Sequence, residues 1–211
     1  MRVIEPSFHI ETDLALLSMY MLGQIEKAGR TCYKSEAAIT PDSCLKFVEM
    51  IIKNGHHSVL EHQSITVRII CDRGVSHEIV RHRIAAYSQE STRYCNYTQD
   101  KFHNEITFIK PFFWKEDSAQ YLVWETLMRN AELAYNTLIK GGATPQEARS
   151  VLPNSLKTEI VCTYNLREWR HFFTLRTSKA AHPQMREITI PMLEKFKILV
   201  PIVFDDIEVN K

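Results

Sequence analysis

The sequence predicts an α+β fold, with an antiparallel sheet packed against long helices. Three observations lead there. Several segments carry apolar residues at helical spacing over three turns or more, the alternating β-branched segments are few, and the two kinds do not alternate along the chain. Strict alternation would have pointed to a parallel, doubly wound sheet.

The elements follow in order. "RVIEPSFHI" reads as a first strand. "DLALLSMYMLGQIEKAG" reads as a helix, with Asp13 as its N-cap and Gly29 as its stop. "TPDSCLKFVEMIIKNG" repeats that design, with Pro41 and Asp42 near the start and Gly55 at the end. "QSITVRIICD" alternates and is rich in β-branched residues, as a strand does. "GVSHEIVRHRI" predicts a helix entered through Gly74 and capped by Ser76, packing by Ile79, Val80 and Ile84. "EITFIKP" is a short strand. A long helix is predicted from Ser118 to Lys140, ending at a glycine pair, and a short one from Pro145. "LKTEIVCTYN" is a strand, and "LREWRHFFTLR" and "EITIPMLEKFKILVP" are helices. No repeat, low-complexity tract or long linker divides the 211 residues, so a single domain over 1–211 is expected.

Composition narrows the function. The formal net charge is +1, which provides no global basic field for a nucleic-acid polymer. The five cysteines are widely spaced and form no C-x-x-C pair, which argues against a disulfide framework and a thiolate zinc site. The N-terminus is too polar for a signal peptide and no apolar run approaches membrane-spanning length, so a cytoplasmic protein without a membrane partner is expected. With six glycines and no G-x-G-x-x-G after a strand, a Rossmann dinucleotide site is disfavoured.

The histidines cluster in "GHHSVLEH" and "HEIVRH". A helical zinc motif needs its histidines four apart. His77 and His82 are five apart, about 140° around a helix, so no metal site is expected. The arginines say more. "RHRIAAYSQESTRY" sets Arg81, Arg83 and Arg93 against one acid, Glu90, among Ser88, Gln89, Ser91 and Thr92. Hydroxyls and guanidinium forks hold phosphates, and they also furnish solvated loops; the residues alone leave both readings open. A second group comprises Arg149, then Asn165, Arg167, Arg170, His171 and Arg176. Arg176 follows Arg167 by nine residues, about 180° around an ideal helix. From one helix the two cannot serve the same small ligand. They can serve two ligands, or one site shared between subunits.

Together these stretches resemble the flavin-dependent thymidylate synthase family. Its signature, R-H-R, seven residues, then S, reads here as Arg81 to Ser91, and "AGRTCY", "GHHSVLEH", "EARSVLP" and "NLREWRHFFTLR" occur in the expected order. The resemblance implies an enzyme that makes dTMP from dUMP. Methylenetetrahydrofolate would supply the carbon, and FAD reduced by NADPH the hydride. It also implies a homotetramer with active sites built from several subunits. It assigns FAD binding to His56, Ser58, Arg81, His82, Arg83, Gln89, Asn165, Arg167 and His171. It assigns dUMP binding to Glu78, Arg81, Gln89, Glu90, Ser91, Thr92, Arg93, Arg149 and Arg176. Ser91 and Arg93 would hold the phosphate, and Arg176, the catalytic residue, would face the uracil. Ala86 stands where a serine is common, and Gln89 where some members have Glu. Glu78 stands where some have Gln, and a carboxylate cannot donate to a carbonyl. Another flavin enzyme acting on a pyrimidine nucleotide is the nearest alternative. A nucleic-acid module and a metal-dependent hydrolase are weaker ones.

Overall fold

Two nine-residue strands, β3 (Ser64–Asp72) and β6 (Lys157–Asn165), alternate between buried and less buried side chains along almost their whole length. In the computed structural model, which describes residues 1–99 and 102–209, they lie side by side in a four-stranded sheet. The strand order is β2 (Ser7–Ile10), β3, β6, β4 (Ala85–Gln89). The sheet is antiparallel. Thr66 meets Thr163 through their hydroxyls, and the Leu166 N–H bonds the Gln63 carbonyl, so numbers rise on one strand as they fall on the other. β1 (Arg2–Ile4) instead pairs in parallel with β5 (Thr107–Ile109), Arg2 opposite Thr107. The expected first strand is thus two strands in two sheets. They part at Pro6, whose nitrogen has no proton for a ladder.

The chain forms two units from interleaved segments. The first comprises Met1–Ser7, Ile69–Arg81 and Ser88–Ile160, the second Phe8–Arg68, His82–Tyr87 and Val161–Lys211. The first unit contains α3 (Arg73–Ile79), α4 (Ala119–Lys140) and α5 (Pro145–Ala148). Its core joins Ile106, Phe108 and Leu156 to Tyr121, Trp124, Met128 and Tyr135 of α4. Ser118 caps α4 by accepting the Tyr121 N–H, as its position predicts. α3 differs from expectation. Its cap is Asp72, which accepts the Val75 N–H at 2.7 Å, and Ser76 is buried inside the helix. α3 ends at Ile79; Val80 and Ile84 lie beyond it and are exposed, so only Ile79 packs.

The second unit contains α1 (Met19–Thr31), α2 (Ser43–Lys53), α6 (Leu166–Arg176), α7 (Pro183–Leu199) and α8 (Pro201–Phe204). Asp13 caps a 3-10 turn at Leu14–Leu16, and α1 starts later. Gly29 does not end α1. It lies inside the helix, where a Cβ would sit 2.6 Å from the Phe47 ring, so its role is to let α2 approach. Gly55 does follow α2, in the left-handed region at φ 71°. α7 begins earlier than expected, capped by His182, and continues through Pro191. α6 matches its predicted span. It buries Trp169, Phe172 and Phe173; Trp169 and Phe173 each meet the Phe196 ring at 5.0 Å between centroids, and Phe173 meets Phe204 at 5.9 Å. The Trp169 indole N–H is satisfied by the Ile65 carbonyl at 2.9 Å.

Phe173 is fully buried, so Phe173→Ala should cost about 3–5 kcal/mol. A urea titration followed by far-UV circular dichroism measures this, and an unchanged midpoint would contradict the packing.

Candidate active site

In the second unit the chemistry converges on His82, which is 5% exposed and lies just before β4. Its Nδ1 is 2.9 Å from Oε1 of Glu168, and its Nε2 is 3.0 Å from Nε of Arg176. An arginine Nε can only donate, so Nε2 of His82 must present a lone pair. The ring is therefore neutral, with its proton on Nδ1, and that N–H donates to Glu168. The Tyr87 hydroxyl donates to the His82 carbonyl and lies 3.0 Å from the Tyr164 hydroxyl. Phe172 packs edge-on against the imidazole at 4.9 Å. Burial lowers the His82 pKa; Glu168 pulls it up, Arg176 pushes it down, and burial prevails. The same enclosure raises the Tyr87 pKa to about 12.

α6 supplies most of this group, and its sequence explains how. Asn165 caps the helix by accepting the Glu168 N–H at 2.8 Å, which places the Glu168 carboxylate in the first turn, where the helix dipole favours negative charge. Arg176 occupies the last turn, where a cation is favoured, and its carbonyl accepts the Thr189 hydroxyl of α7 at 2.9 Å. Arg167 points elsewhere, pairing with Glu61 at 2.6 Å at the surface. The two arginines thus have separate partners, as their spacing requires. His56, just before the 3-10 turn His57–His62, and Ser58, within it, are exposed, and Arg83 and His171 are exposed as well.

His82, Glu168 and His171 bring their ligand atoms within 4.8 Å of one another, the one group among the described residues with that donor set. It is not the His77–His82 pair of the sequence motif. A cation there would have to displace an existing His82 bond and sit beside a guanidinium, so the donor set fits a hydrogen-bonded relay better than a metal.

The first unit gathers the other predicted residues. β4, a strand that the sequence pattern did not reveal, carries Gln89, whose amide donates to Ser76 Oγ at 2.9 Å and to Thr158 Oγ1 at 3.1 Å. The Glu90 carboxylate is bound by Lys157 at 2.7 Å and by the Tyr97 hydroxyl at 3.0 Å, and its N–H donates to the Glu159 carbonyl at 2.8 Å, so both are already engaged within the chain. Burial is the main cause of the raised Tyr97 pKa, with the Glu90 charge second. Ser91 opens a turn: its Oγ accepts the Arg93 N–H at 3.3 Å and its carbonyl accepts the Cys95 N–H at 2.9 Å. Arg149 reaches across 57 residues to buried Thr92, with Nη1 3.4 Å from its hydroxyl. Arg93 rests on the Tyr94 ring at 5.4 Å. Glu78 is half-buried at the end of α3 and Arg81 is exposed. Among the described residues, no carboxylate pairs with Arg81, Arg83, Arg93 or Arg149. A cavity of about 290 Å³ in this unit is lined by Arg2, Tyr97, Glu105, Lys157 and Glu159, and of the predicted residues only by Glu90.

Residues 17–202 match the family described as thymidylate synthase complementing protein. A flavin-dependent thymidylate synthase of Geobacter sulfurreducens is 36% identical over 186 residues, covering 85% of this chain and 78% of its own. One from Pyrococcus furiosus is 38% identical over 168 residues, covering 79% and 68%. The chain belongs to the flavin-dependent thymidylate synthase family. A UMP/dUMP methylase, PolB from Streptomyces cacaoi, solved with 5-Br dUMP, shares the fold with a TM-score of 0.77 at 22% identity, over 97% of this chain and 96% of that one. The family match spans both groups of residues described above, including every position that the sequence motifs singled out.

Glu168, Tyr87, Tyr164 and Lys157 were not among the predicted residues. Asn165 and Glu168 stand three apart at a helix start, so the cap was legible, but the partner of Glu168 lies 86 residues away.

The lowered His82 pKa fixes a sign. As pH falls from the ordinary value of 6.5, the unfolded chain takes up the proton before the folded one does. The contribution of His82 to stability is therefore complete above pH 6.5 and is lost as pH falls through the lowered folded pKa. In urea titrations between pH 7.5 and 5, the advantage of the wild type over His82→Gln should shrink toward acid; a constant difference would refute it.

Proposed function

We propose that this chain is a thymidylate synthase that converts dUMP to dTMP, using methylenetetrahydrofolate as carbon donor and FAD, reduced by NADPH, as hydride source. The family match over residues 17–202 carries this reading. The local chemistry supports it. Arg81, Arg83, Arg93 and Arg149 lack carboxylate partners among the described residues, which suits ligands that bring their own phosphates. The residues present fit a flavin dinucleotide: Arg81 and Arg83 would hold its phosphates, and exposed His56, Ser58 and His171 would flank it. Asn165 uses its oxygen as the helix cap, which leaves its NH2 as the donor to that ligand. The Arg167–Glu61 pair is half-exposed and therefore weak, so it can yield to an anion. Reduced flavin would supply the hydride that completes the methyl group.

The chain's own residues hold and polarise dUMP. Arg93, Ser91, Arg149 and the backbone from Gln89 to Thr92, apart from the engaged Glu90 N–H, form the phosphate cradle. Arg176 acts on the base. Uracil C5 becomes nucleophilic only as negative charge spreads over the ring oxygens and nitrogen, and a fixed guanidinium stabilises that charge more than it stabilises neutral dUMP. A homotetramer with shared sites suits the separate directions of Arg167 and Arg176, and the exposed Leu122, Val123, Leu127 and Leu133 of α4 suit self-association. The free cysteines suit a reducing cytoplasm. No described helix is long and apolar enough to cross a membrane. Residues 1–211 act as one catalytic domain.

Purified protein should be yellow, release FAD on denaturation, and form dTMP when given dUMP, methylenetetrahydrofolate and NADPH. Chromatography showing no dTMP from flavin-loaded protein would overturn the reading. Arg176→Ala should keep FAD and lose about a hundredfold or more of turnover. Ser91→Ala should weaken dUMP binding yet leave measurable turnover at saturating dUMP, because a serine without an adjacent base positions rather than attacks. Complete loss of turnover with dUMP and FAD bound would show instead that the serine does chemistry.

A further inference from the structure

The geometry points to Glu168 as a positioning residue for Arg176, acting through the tautomer of His82. This inference rests on the role proposed above for Arg176.

A neutral imidazole has two tautomers, and only one is compatible with this site. With the proton on Nδ1, the ring donates to Glu168 and its Nε2 lone pair receives the Arg176 Nε–H. With the proton on Nε2, two N–H groups would confront each other 3.0 Å apart, and the guanidinium would have to turn away. The hydrogen bond made by one ring nitrogen decides what the other presents. A carboxylate only accepts, so Glu168 selects the tautomer that holds Arg176. Asn165 keeps the carboxylate in place by capping its N–H, and Glu168 is 7% exposed, so water does not compete for the bond. The Thr189 hydroxyl fixes the backbone of Arg176, and His82 fixes the near end of its guanidinium. Arg176 is thereby held both at its backbone and at its guanidinium before any substrate arrives, which reduces reorganisation in the reaction.

The titratable and charged groups around His82 are few. α6 contributes Glu168, His171 and Arg176, β6 contributes Tyr164, and β4 contributes Tyr87, which reaches the His82 carbonyl. Protonation of His82 would remove the Nε2 lone pair and release Arg176. Glu168 is the one of these groups that favours the proton on the ring; Arg176 and His171 oppose it. Removing the Glu168 charge should therefore move the acid limb of turnover to lower pH even as the plateau falls. A purely structural contribution would lower the plateau without that displacement.

The test is Glu168→Gln, which preserves size. Its amide can either accept from Nδ1–H or donate to Nδ1, so it no longer selects one tautomer. With FAD content and melting temperature near wild type, kcat should fall about 10- to 100-fold, with little change in KM for dUMP, and the acid limb should shift downward. Glu168→Asp, which keeps an acceptor-only group, should recover more turnover than Glu168→Gln does. The tautomer can be read without activity. In protein labelled with 15N-histidine, assigned with the help of His82→Gln, the wild-type ring at pH 7 should carry its proton on Nδ1, and the Gln variant should show a mixture. A wild-type ring protonated on Nε2 or on both nitrogens would overturn the proposal, whether or not any variant folds. Unchanged kcat in Glu168→Gln would overturn it too. Failure of the wild type to make dTMP would instead count against the functional reading and leave the tautomer measurement as the judge of the relay.

Discussion

A neutral imidazole has one donor and one acceptor, and the buried ring of His82 uses both. Its donor meets Glu168 and its acceptor meets Arg176. In a buried site an unmet polar group is costly, so each partner is constrained by the other. The rest of the second unit serves that arrangement. α6 carries both partners, one at each end, with Asn165 and Thr189 fixing its termini. The aromatic cluster of Trp169, Phe172, Phe173, Phe196 and Phe204 holds the helix against rotation. A small turn of α6 about its axis would break both His82 bonds together.

The first unit follows a different logic. Its acids are neutralised locally, Glu90 by Lys157 and Glu132 by the N-terminal ammonium. Among the described residues, its Arg81, Arg93 and Arg149 have no carboxylate partner. Surface ion pairs contribute little to stability, so withholding carboxylates from these guanidinium groups costs the fold little. What remains is a set of cations free of carboxylates, which is what the proposed phosphate cradle requires. Gln89 shows how rigidity is supplied beneath it: its amide is fastened to Ser76 and Thr158, so the backbone that follows starts from a fixed point.

Two motif residues acquire roles that the family resemblance alone did not express. His82 was assigned to the flavin, and the structure engages both of its ring nitrogens within the chain. Asn165 was assigned likewise, and its oxygen is a helix cap. Neither finding removes a ligand contact through other atoms. Both show that a short signature can mark residues that shape a site as well as residues that touch its ligand.

The sequence by itself determined the kinds of element, the α+β class, the α4 and α6 boundaries, and the two arginine-bearing segments, because these depend on local periodicity, capping and charge. It also determined that Arg167 and Arg176 face apart, since helical geometry alone decides that. It did not reveal β4, whose residues alternate too weakly and are polar; that segment becomes a strand because β6 offers it a ladder. It misread Gly29 as a stop, because the close approach of Phe47 is made by another helix. Only tertiary structure brought Glu168 to His82 across 86 residues and Arg149 to Thr92 across 57. Side-chain partners at such separations are set by which strands and helices become neighbours, and no local pattern encodes that choice.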